Sequence, residues 1–133
     1  IKNLVIPDNV KIIFNISYAK ARELYLQAKI FVHPIKETYR GAAQTSFLEA
    51  LICHLPVVVA GTLGMKEYGF KNGKDCWLFK PGDAEDLEKK IKFLLDNPKK
   101  AKRGRRKTAN FIKKNYSSKI MVEKIKEQIE EIL

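Results

Sequence analysis

The chain has 133 residues, of which 26 are Lys or Arg and 15 are Asp or Glu, so its formal net charge is +11. The length suits one domain, and a composition of 45% apolar and 31% charged residues excludes a chain too polar to bury a core. Two cysteines are too few for a disulfide framework or a zinc site, which predicts reduced thiols in a cytoplasmic protein. Charged or polar residues such as Glu49 and His54 interrupt the most apolar stretch, which excludes a membrane-spanning helix.

The first half of the chain alternates short β-branched or aromatic runs with helical patterns. The runs predict strands at residues 11–15, 30–33, 56–60 and 76–79. Ser17 suits the N-cap of a helix that continues to about Ala28, and a second helix is predicted from about Ala43 to Cys53. The run at 56–60 is continuously apolar, which indicates burial on both faces. This alternation predicts an α/β fold, a Rossmann-like, open and mainly parallel sheet with helices on both faces.

The second half is helical. Asp83 is expected to cap an amphipathic helix, and Pro98 fits the first turn of the next helix, which carries a basic run and ends near Asn115. Ser117 or Ser118 caps the last helix. Its apolar stripe, expected to pack on this domain or on a neighbouring one, consists of Met121, Ile125, Ile129 and Ile132. The prediction is a single domain over residues 1–133, with an α/β core at 1–97 and C-terminal helices at 98–133.

The positive charge is concentrated in residues 99–107. This run holds seven of the 26 basic residues and no acid, and without it the surplus falls to four. Its basic members are Lys99, Lys100, Lys102, Arg103, Arg105, Arg106 and Lys107. Two interpretations stay open, a solvated helix face and a patch that holds the protein at the periphery of an anionic membrane surface. Nucleic-acid binding is disfavoured, because no aromatic residue is interleaved for base stacking.

Glu49 is an isolated acid. It is the one formal charge in residues 41–65, where the average composition would give about eight. An ionised carboxylate among apolar neighbours costs several kcal/mol unless it is paired or hydrogen-bonded. Either it meets backbone N–H groups or a lysine, or it faces a cleft and binds ligand hydroxyls.

The segment before Glu49 favours the second alternative. Residues 41–45 follow a predicted strand end and open a helix, so free backbone N–H groups and the helix dipole predict an anion site. Gly41 and Ala42 are small enough for a ligand to approach the backbone. A nucleotide whose phosphates lie there would reach Glu49 with its ribose hydroxyls.

Several motifs now occur in a familiar order. They are Val32-His33-Pro34, Ser46-Phe47-Leu48-Glu49-Ala50-Leu51, Leu55-Pro56-Val57-Val58-Val59-Ala60, Gly64-Met65-Lys66-Glu67, Asn72-Gly73-Lys74-Asp75 and Phe79-Lys80-Pro81-Gly82-Asp83. From about Val10 to the C-terminus, the chain resembles the C-terminal, donor-binding half of glycosyltransferase family 4. These GT-B enzymes build polysaccharides and glycolipids, and many transfer hexoses.

The resemblance implies a nucleotide-sugar donor and transfer with retention at the anomeric carbon, with no cofactor and no essential metal. Glu49 would match the second glutamate of the family's glutamate pair, which holds the ribose hydroxyls. Gln44 and Thr45 would meet the diphosphate or the donor sugar, and the loop at 61–67, which contains Gly64, would border the base pocket. The first glutamate of the pair is replaced by Gly41, and Glu37 is a candidate substitute for the donor-sugar contact.

The resemblance also implies partners. The family's half-domain usually begins with two further βα units, and an N-terminal domain binds the acceptor. The chain starts with Ile-Lys-Asn-Leu, so we expect a fragment, a split-gene product or a degenerate copy that does not catalyse transfer alone. The alternatives are a non-catalytic nucleotide- or sugar-binding module and a basic protein that interacts with membranes or nucleic acid.

Overall fold

The sheet is built around residues 57–60, a run of three valines and an alanine. In the computed structural model, which describes residues 5–36 and 44–131, this run is the middle strand of three. The elements in chain order are α1 (Tyr18–Gln27), β1 (Phe31–His33), α2 (Gln44–Ile52), β2 (Val57–Ala60), α3 (Leu63–Lys66), β3 (Trp77–Phe79), α4 (Ala84–Asp96), α5 (Pro98–Lys102), α6 (Arg105–Asn115) and α7 (Ser118–Glu130). Both strand pairs are parallel, in the order β1-β2-β3. The predicted α/β fold with an open parallel sheet is confirmed.

Strand β2 is buried on both faces, because its side chains alternate between two cores. Val57 and Val59 pack with Phe47 of α2 and Ile112 of α6 on one face. On the other face, the cluster contains Val58, Ala60, Trp77, Phe79, Leu94 and Ala101, which come from β2, β3, α4 and α5. Helices therefore cover both faces, and the continuous apolar run is explained.

Three helix starts are fixed by the predicted caps. The side chains of Ser17, Asp83 and Ser117 accept hydrogen bonds from the backbone N–H groups of Lys20, Asp86 and Ile120. Each cap satisfies one of the N–H groups that the first turn leaves unpaired. Since Ser117 caps α7, Ser118 becomes its first helical residue.

The predicted strand at residues 11–15 is wrong. This segment is irregular and exposed, and Phe14 is 66% exposed. Within residues 5–36 and 44–131 it pairs with no strand, and β-branched residues favour a strand only where neighbours and burial support one. The sheet consequently has three strands in the described chain rather than four.

The predicted single helix from Pro98 to about Asn115 is also wrong. It is divided at Arg103 and Gly104, where Gly104 adopts a left-handed φ of 83°. A Cβ on Gly104 would lie 3.0 Å from the backbone oxygen of Lys74, so this close approach requires glycine. The break turns α6 so that Ala109 and Ile112 are buried and α6 packs against α2.

The apolar stripe of α7 is not packed on the described part of this chain. Met121, Ile125 and Ile129 are 47–59% exposed, and Ile132 lies outside the described residues. Of the two expected locations, packing on this domain is therefore wrong for these three residues. Over the described ranges, none of the helices combines the length and apolarity needed to cross a bilayer.

Candidate functional site

Glu49 lies in a groove between α1 and α2. The groove, which we call the Glu49 groove, has a volume of about 280 Å³. Helix α1 contributes Tyr18, Ala21, Arg22 and Tyr25, and α2 with the residue after it contributes Glu49, Ile52 and Cys53. A carboxylate, a guanidinium and two phenol rings thus share one small groove. These groups can accept hydroxyl protons, bind an anion and stack on a planar ring.

The Tyr25 hydroxyl donates a hydrogen bond to Glu49 Oε2, with an oxygen–oxygen distance of 3.2 Å. Burial, followed by the charge of Glu49 and this hydrogen bond, raises the pKa of Tyr25 to about 12. The Tyr25 ring is itself held by Phe31, whose ring centroid lies 5.8 Å away in an edge-to-face arrangement. The phenol is therefore a fixed donor that orients one carboxylate oxygen.

Glu49 is less deeply buried than its neighbours in the sequence suggest. Phe47, Ala50 and Leu51 are the members of α2 that face the core, whereas Glu49 is half-buried on the flank of the helix. Within the described residues, its partner is the Tyr25 hydroxyl rather than a backbone N–H group or a lysine. Glu49 also lines the groove, so its carboxylate borders the space between α1 and α2.

The remaining predicted donor-site residues are only partly described. Thr45 is exposed in the first turn of α2, and Gln44 begins that helix. Glu49 is five positions after Gln44, which places the acid about 7.5 Å farther along the helix axis. Gly41, Ala42 and Glu37 lie outside the described residues. Gly64 is buried in α3 and is not part of the Glu49 groove.

A second cavity, of about 230 Å³, lies where β1 and β3 end. Pro34 and Lys36 follow β1, and Phe79 and Asp83 stand at the end of β3 and the start of α4. Ligands of open α/β sheets bind at this carboxyl edge. Sequence reasoning did not select Lys36, although the meeting of parallel strand ends at one edge could have identified it.

Tyr25 and Arg22 were missed for a different reason. Tyr18, Arg22 and Tyr25 follow one another at helical spacings of four and three, so one face of α1 carries all three. The spacing was visible in the sequence, but the packing of that face against α2 was not.

The members of the basic run have different surroundings. Lys102, Arg105 and Arg106 line cavities at the amino-terminal edge of the sheet. Lys100 places its Nζ 5.4 Å from the ring centroid of Phe93. The other members, Lys99, Arg103 and Lys107, are exposed.

Metal ligands are not grouped in the part of the chain that the structure describes. Residues 5–36 and 44–131 contain no cluster of three or more His, Cys, Asp or Glu side chains that could hold an ion. Both cysteines are free, Cys53 half-buried and Cys76 buried.

An open, three-stranded parallel sheet with helices on both faces defines a partial Rossmann-like domain. The sequence profile described as Glycosyl transferases group 1 matches residues 1–111. The chain belongs to this family, whose general activity is the transfer of a glycosyl group from a sugar donor to an acceptor. A search of curated protein sequences gave no significant match.

Proposed function

We propose that this chain supplies part of the donor-binding domain of a retaining glycosyltransferase of family 4, with a nucleotide-sugar as donor. The observation that carries the proposal is the position of Glu49, a half-buried carboxylate that lines a groove beside Tyr25 and Arg22. A carboxylate has several lone pairs, so it can accept hydrogen bonds from the two hydroxyls of a ribose as well as from Tyr25. Arg22 and the aromatic rings supply contacts for the rest of a nucleoside.

The proposed role of Tyr25 is to orient Glu49. Its hydroxyl occupies Oε2, so a ligand diol meets a carboxylate that is already fixed in position. Preorganisation lowers the entropy lost on binding. Gln44 and Thr45, with Gly41 and Ala42, are proposed to meet the diphosphate, Gly64 to border the base, and Glu37 to contact the donor sugar. Lys36 at the carboxyl edge is a further cation for the diphosphate, which is consistent with a site that needs no metal.

We also propose that the complete transfer site needs a partner domain for the acceptor. The Glu49 groove, at about 280 Å³, is at the small end of ligand sites, which usually measure about 300–1,000 Å³. A nucleotide-sugar would extend beyond it, and further walls must close over the donor. The expectation that this chain alone does not catalyse transfer follows from the same argument.

The test uses ribose as the probe. Calorimetric titration with UDP, GDP and ADP identifies the preferred base, and the matching 2′,3′-dideoxynucleotide then removes the diol. The unmodified chain should bind the ribonucleotide about tenfold or more tightly than its dideoxy analogue, since hydrogen bonds to charged groups contribute roughly 1.5–3 kcal/mol. In Glu49→Gln this discrimination should largely disappear.

The matched control is Glu88→Gln, which changes an exposed acid of α4 that pairs with Lys92. It should leave the discrimination between the two nucleotides unchanged. Equal loss of discrimination in both variants, or none in Glu49→Gln, would contradict the role of Glu49.

A second candidate is a non-catalytic nucleotide- or sugar-binding module. It is favoured by Gly41, which stands where the family's first glutamate is expected. Joined to an acceptor domain of the same family, an active chain would transfer the sugar to an acceptor, whereas a module would bind the donor without turnover. Nucleotide binding without transfer in that assembly would favour the second candidate.

A further inference from the structure

A cavity of about 610 Å³, more than twice the volume of the Glu49 groove, lies at the amino-terminal edge of the sheet. It is away from the strand ends where the family's donor is expected. Ile30 and Pro56, which immediately precede β1 and β2, form its floor together with Leu94 of α4 and Ala101 of α5. We call it the amino-edge cavity. The floor is apolar, and Leu94 and Ala101 belong to the same core cluster as Trp77, with Ile30 packed against it.

The rim of the amino-edge cavity is basic. Lys29, Lys102 and Arg105 line it, and a neighbouring cavity of about 380 Å³ shares Lys102 and Arg105 and adds His54, Arg106 and Asn110. No Asp or Glu lines either cavity among the residues that the structure describes. The ion pairs within the described part of the chain are formed by lysines 20, 90, 92 and 119, and none of these pairs neutralises the rim of the amino-edge cavity.

Among the residues that the structure describes, Arg105 is held in place by carbonyl oxygens and not by an acidic partner. Its Nη1 donates to the backbone oxygen of His54, and its Nε donates to the backbone oxygen of Lys102 at 3.3 Å. Burial lowers the pKa of Arg105, which still remains far above neutral because guanidinium groups do not lose their proton in proteins. A half-buried cation with only carbonyl partners is stabilised when an anion binds beside it.

The residue that accepts from Arg105 is also unusual. His54, two residues after the end of α2, adopts the left-handed region with φ of 62°, a conformation that glycine usually supplies where a helix ends in this way. Its N–H donates to Leu51 O, and the N–H of Leu55 donates to Ala50 O. This turn brings the His54 carbonyl to Arg105, so the turn after α2 and the start of α6 form one wall of the neighbouring cavity.

We propose that the amino-edge cavity and its neighbour bind the phosphate-bearing headgroup of an anionic phospholipid. Lys102, Arg105 and Arg106 contact the phosphate, and the first methylene groups of the lipid lie on the floor formed by Ile30, Leu94 and Ala101. A free inorganic anion would leave this apolar floor exposed. A nucleic acid would gain little stacking, because no Phe, Tyr or Trp lines either cavity among the described residues and His54 contributes the one aromatic ring.

The site lies at the opposite edge of the sheet from the proposed diphosphate contacts, and it goes beyond the proposed donor function. Lipid binding and nucleotide binding can therefore fail independently. Three of the seven cations in the basic run, together with the apolar floor, form the proposed lipid site.

The first experiment separates a built site from diffuse charge. Binding to vesicles of phosphatidylglycerol and phosphatidylcholine is compared for Lys102→Gln/Arg106→Gln and for Lys99→Gln/Lys107→Gln. Both variants remove two charges from the same run, but Lys99 and Lys107 line neither cavity. The cavity variant should bind about tenfold or more weakly, because each cation near an anionic surface contributes about 1 kcal/mol and a held phosphate adds to this. The control variant should lose clearly less, and equal losses would overturn the proposal.

The second experiment identifies the ligand source by calorimetry. Dihexanoyl phosphatidic acid, used below its micelle concentration, is compared with glycerol 3-phosphate and with dihexanoyl phosphatidylcholine. The phosphatidic acid should bind saturably and at least several-fold more tightly than either, and its binding should change the fluorescence of Trp77 through Leu94 and Ala101. Equal affinity for glycerol 3-phosphate would show a simple phosphate site, and no saturable binding would exclude a site; both results overturn the proposal.

Each variant is also tested in the other assay. Glu49→Gln should leave lipid binding unchanged, and Lys102→Gln/Arg106→Gln should leave nucleotide binding unchanged. Circular dichroism confirms folding, and both replaced cations of the cavity variant are exposed, so folding should not depend on them. Loss of lipid binding in Glu49→Gln would contradict two separate sites.

Discussion

The Glu49 groove and the amino-edge cavity hold their charged groups in opposite ways. In the groove, a single carboxylate receives a hydrogen bond from Tyr25, and its charge is partly satisfied by the protein. In the cavity, Lys29, Lys102 and Arg105 share one rim, and the partners of Arg105 within the described chain are carbonyl oxygens. A lone acid can be stabilised by one internal donor, whereas several cations on one rim repel one another, and a bound anion relieves this repulsion.

The two sites also depend on different faces of the sheet. The face below the groove carries an aromatic network in which Phe47 contacts the rings of His33, Tyr68 and Phe70. The face below the cavity depends on Leu94, which packs with Trp77 and Phe79. Each core can therefore be perturbed with the opposite site as an internal control.

The largest expected effect is on stability, from Phe47→Ala. Phe47 is fully buried, and its removal should lower the free energy of unfolding by about 3–5 kcal/mol, against about 2–5 kcal/mol for Leu94→Ala. Urea unfolding measures both. Under conditions where both variants remain folded, Phe47→Ala should weaken nucleotide binding more than lipid binding and Leu94→Ala the reverse. The same ligand preference in both variants would contradict separate supporting cores.

The next effect is a difference in reactivity between the two cysteines, which distinguishes the Glu49 groove from the core. Cys53 lines the Glu49 groove, whereas Cys76 is 0% exposed, and burial followed by the charge of Asp75 raises the pKa of Cys76 from 9.0 to about 12. Such a rise lowers the thiolate fraction about a thousandfold at neutral pH. Iodoacetamide at pH 8, followed by mass spectrometry, should therefore modify Cys53 about 100-fold or more faster than Cys76.

Nucleotide binding should protect Cys53, whereas the short-chain phosphatidic acid should not. The Cys53→Ser variant is the control, because its remaining slow reaction reports Cys76 alone. Protection of Cys53 by the lipid, or none by the preferred nucleotide, would contradict the assignment of the two ligands.

A smaller effect concerns the alkaline side of stability. The folded-state pKa of Tyr25 is about 12, above the ordinary value of 10.0, so the folded state favours the neutral phenol. The contribution of Tyr25 to the free energy of unfolding is fully present below pH 10 and is lost as the pH rises toward 12. The free energy of unfolding should therefore fall over this range, and Tyr25→Phe should fall less steeply.

The control is Tyr18→Phe, whose phenol is 88% exposed in the same groove. It should retain the pH dependence of the unmodified chain, to which Tyr68 and Cys76 also contribute because burial raises both of their pKa values. An identical slope in Tyr25→Phe would show that the hydrogen bond to Glu49 is not maintained in solution.

Features that depend on neighbouring residues were predictable from the sequence, and features that depend on distant pairing were not. The burial of β2 and the cap at Asp83 follow from local pattern. Residues 11–15 failed because strand propensity is realised only against a partner strand. The contact between Tyr25 and Glu49 spans 24 residues, and that between Arg105 and His54 spans 51, so neither leaves a periodic signal.

The division of the basic helix is an intermediate case. Gly104 stands in the middle of the run, where a single helix was predicted, and the close approach of Lys74 that requires glycine there is a tertiary contact. The result matters for function, because the break places Lys102 and Arg105 on two helices that meet at one cavity. A continuous helix would have distributed the same charges around a solvated cylinder.

The smallest predicted effect concerns His54. A non-glycine residue in the left-handed region costs about 1–2 kcal/mol, and glycine removes this cost while losing some entropy advantage, so His54→Gly should raise the free energy of unfolding by about 0.5–1 kcal/mol. His54→Asn should gain less, because asparagine tolerates this conformation only in part. Both variants keep the backbone carbonyl of residue 54, which accepts the hydrogen bond from Arg105. Lipid affinity should therefore change by less than about threefold in either variant. If His54→Gly instead lowered the free energy of unfolding, the packing of the His54 ring would stabilise the fold by more than the left-handed backbone of His54 destabilises it.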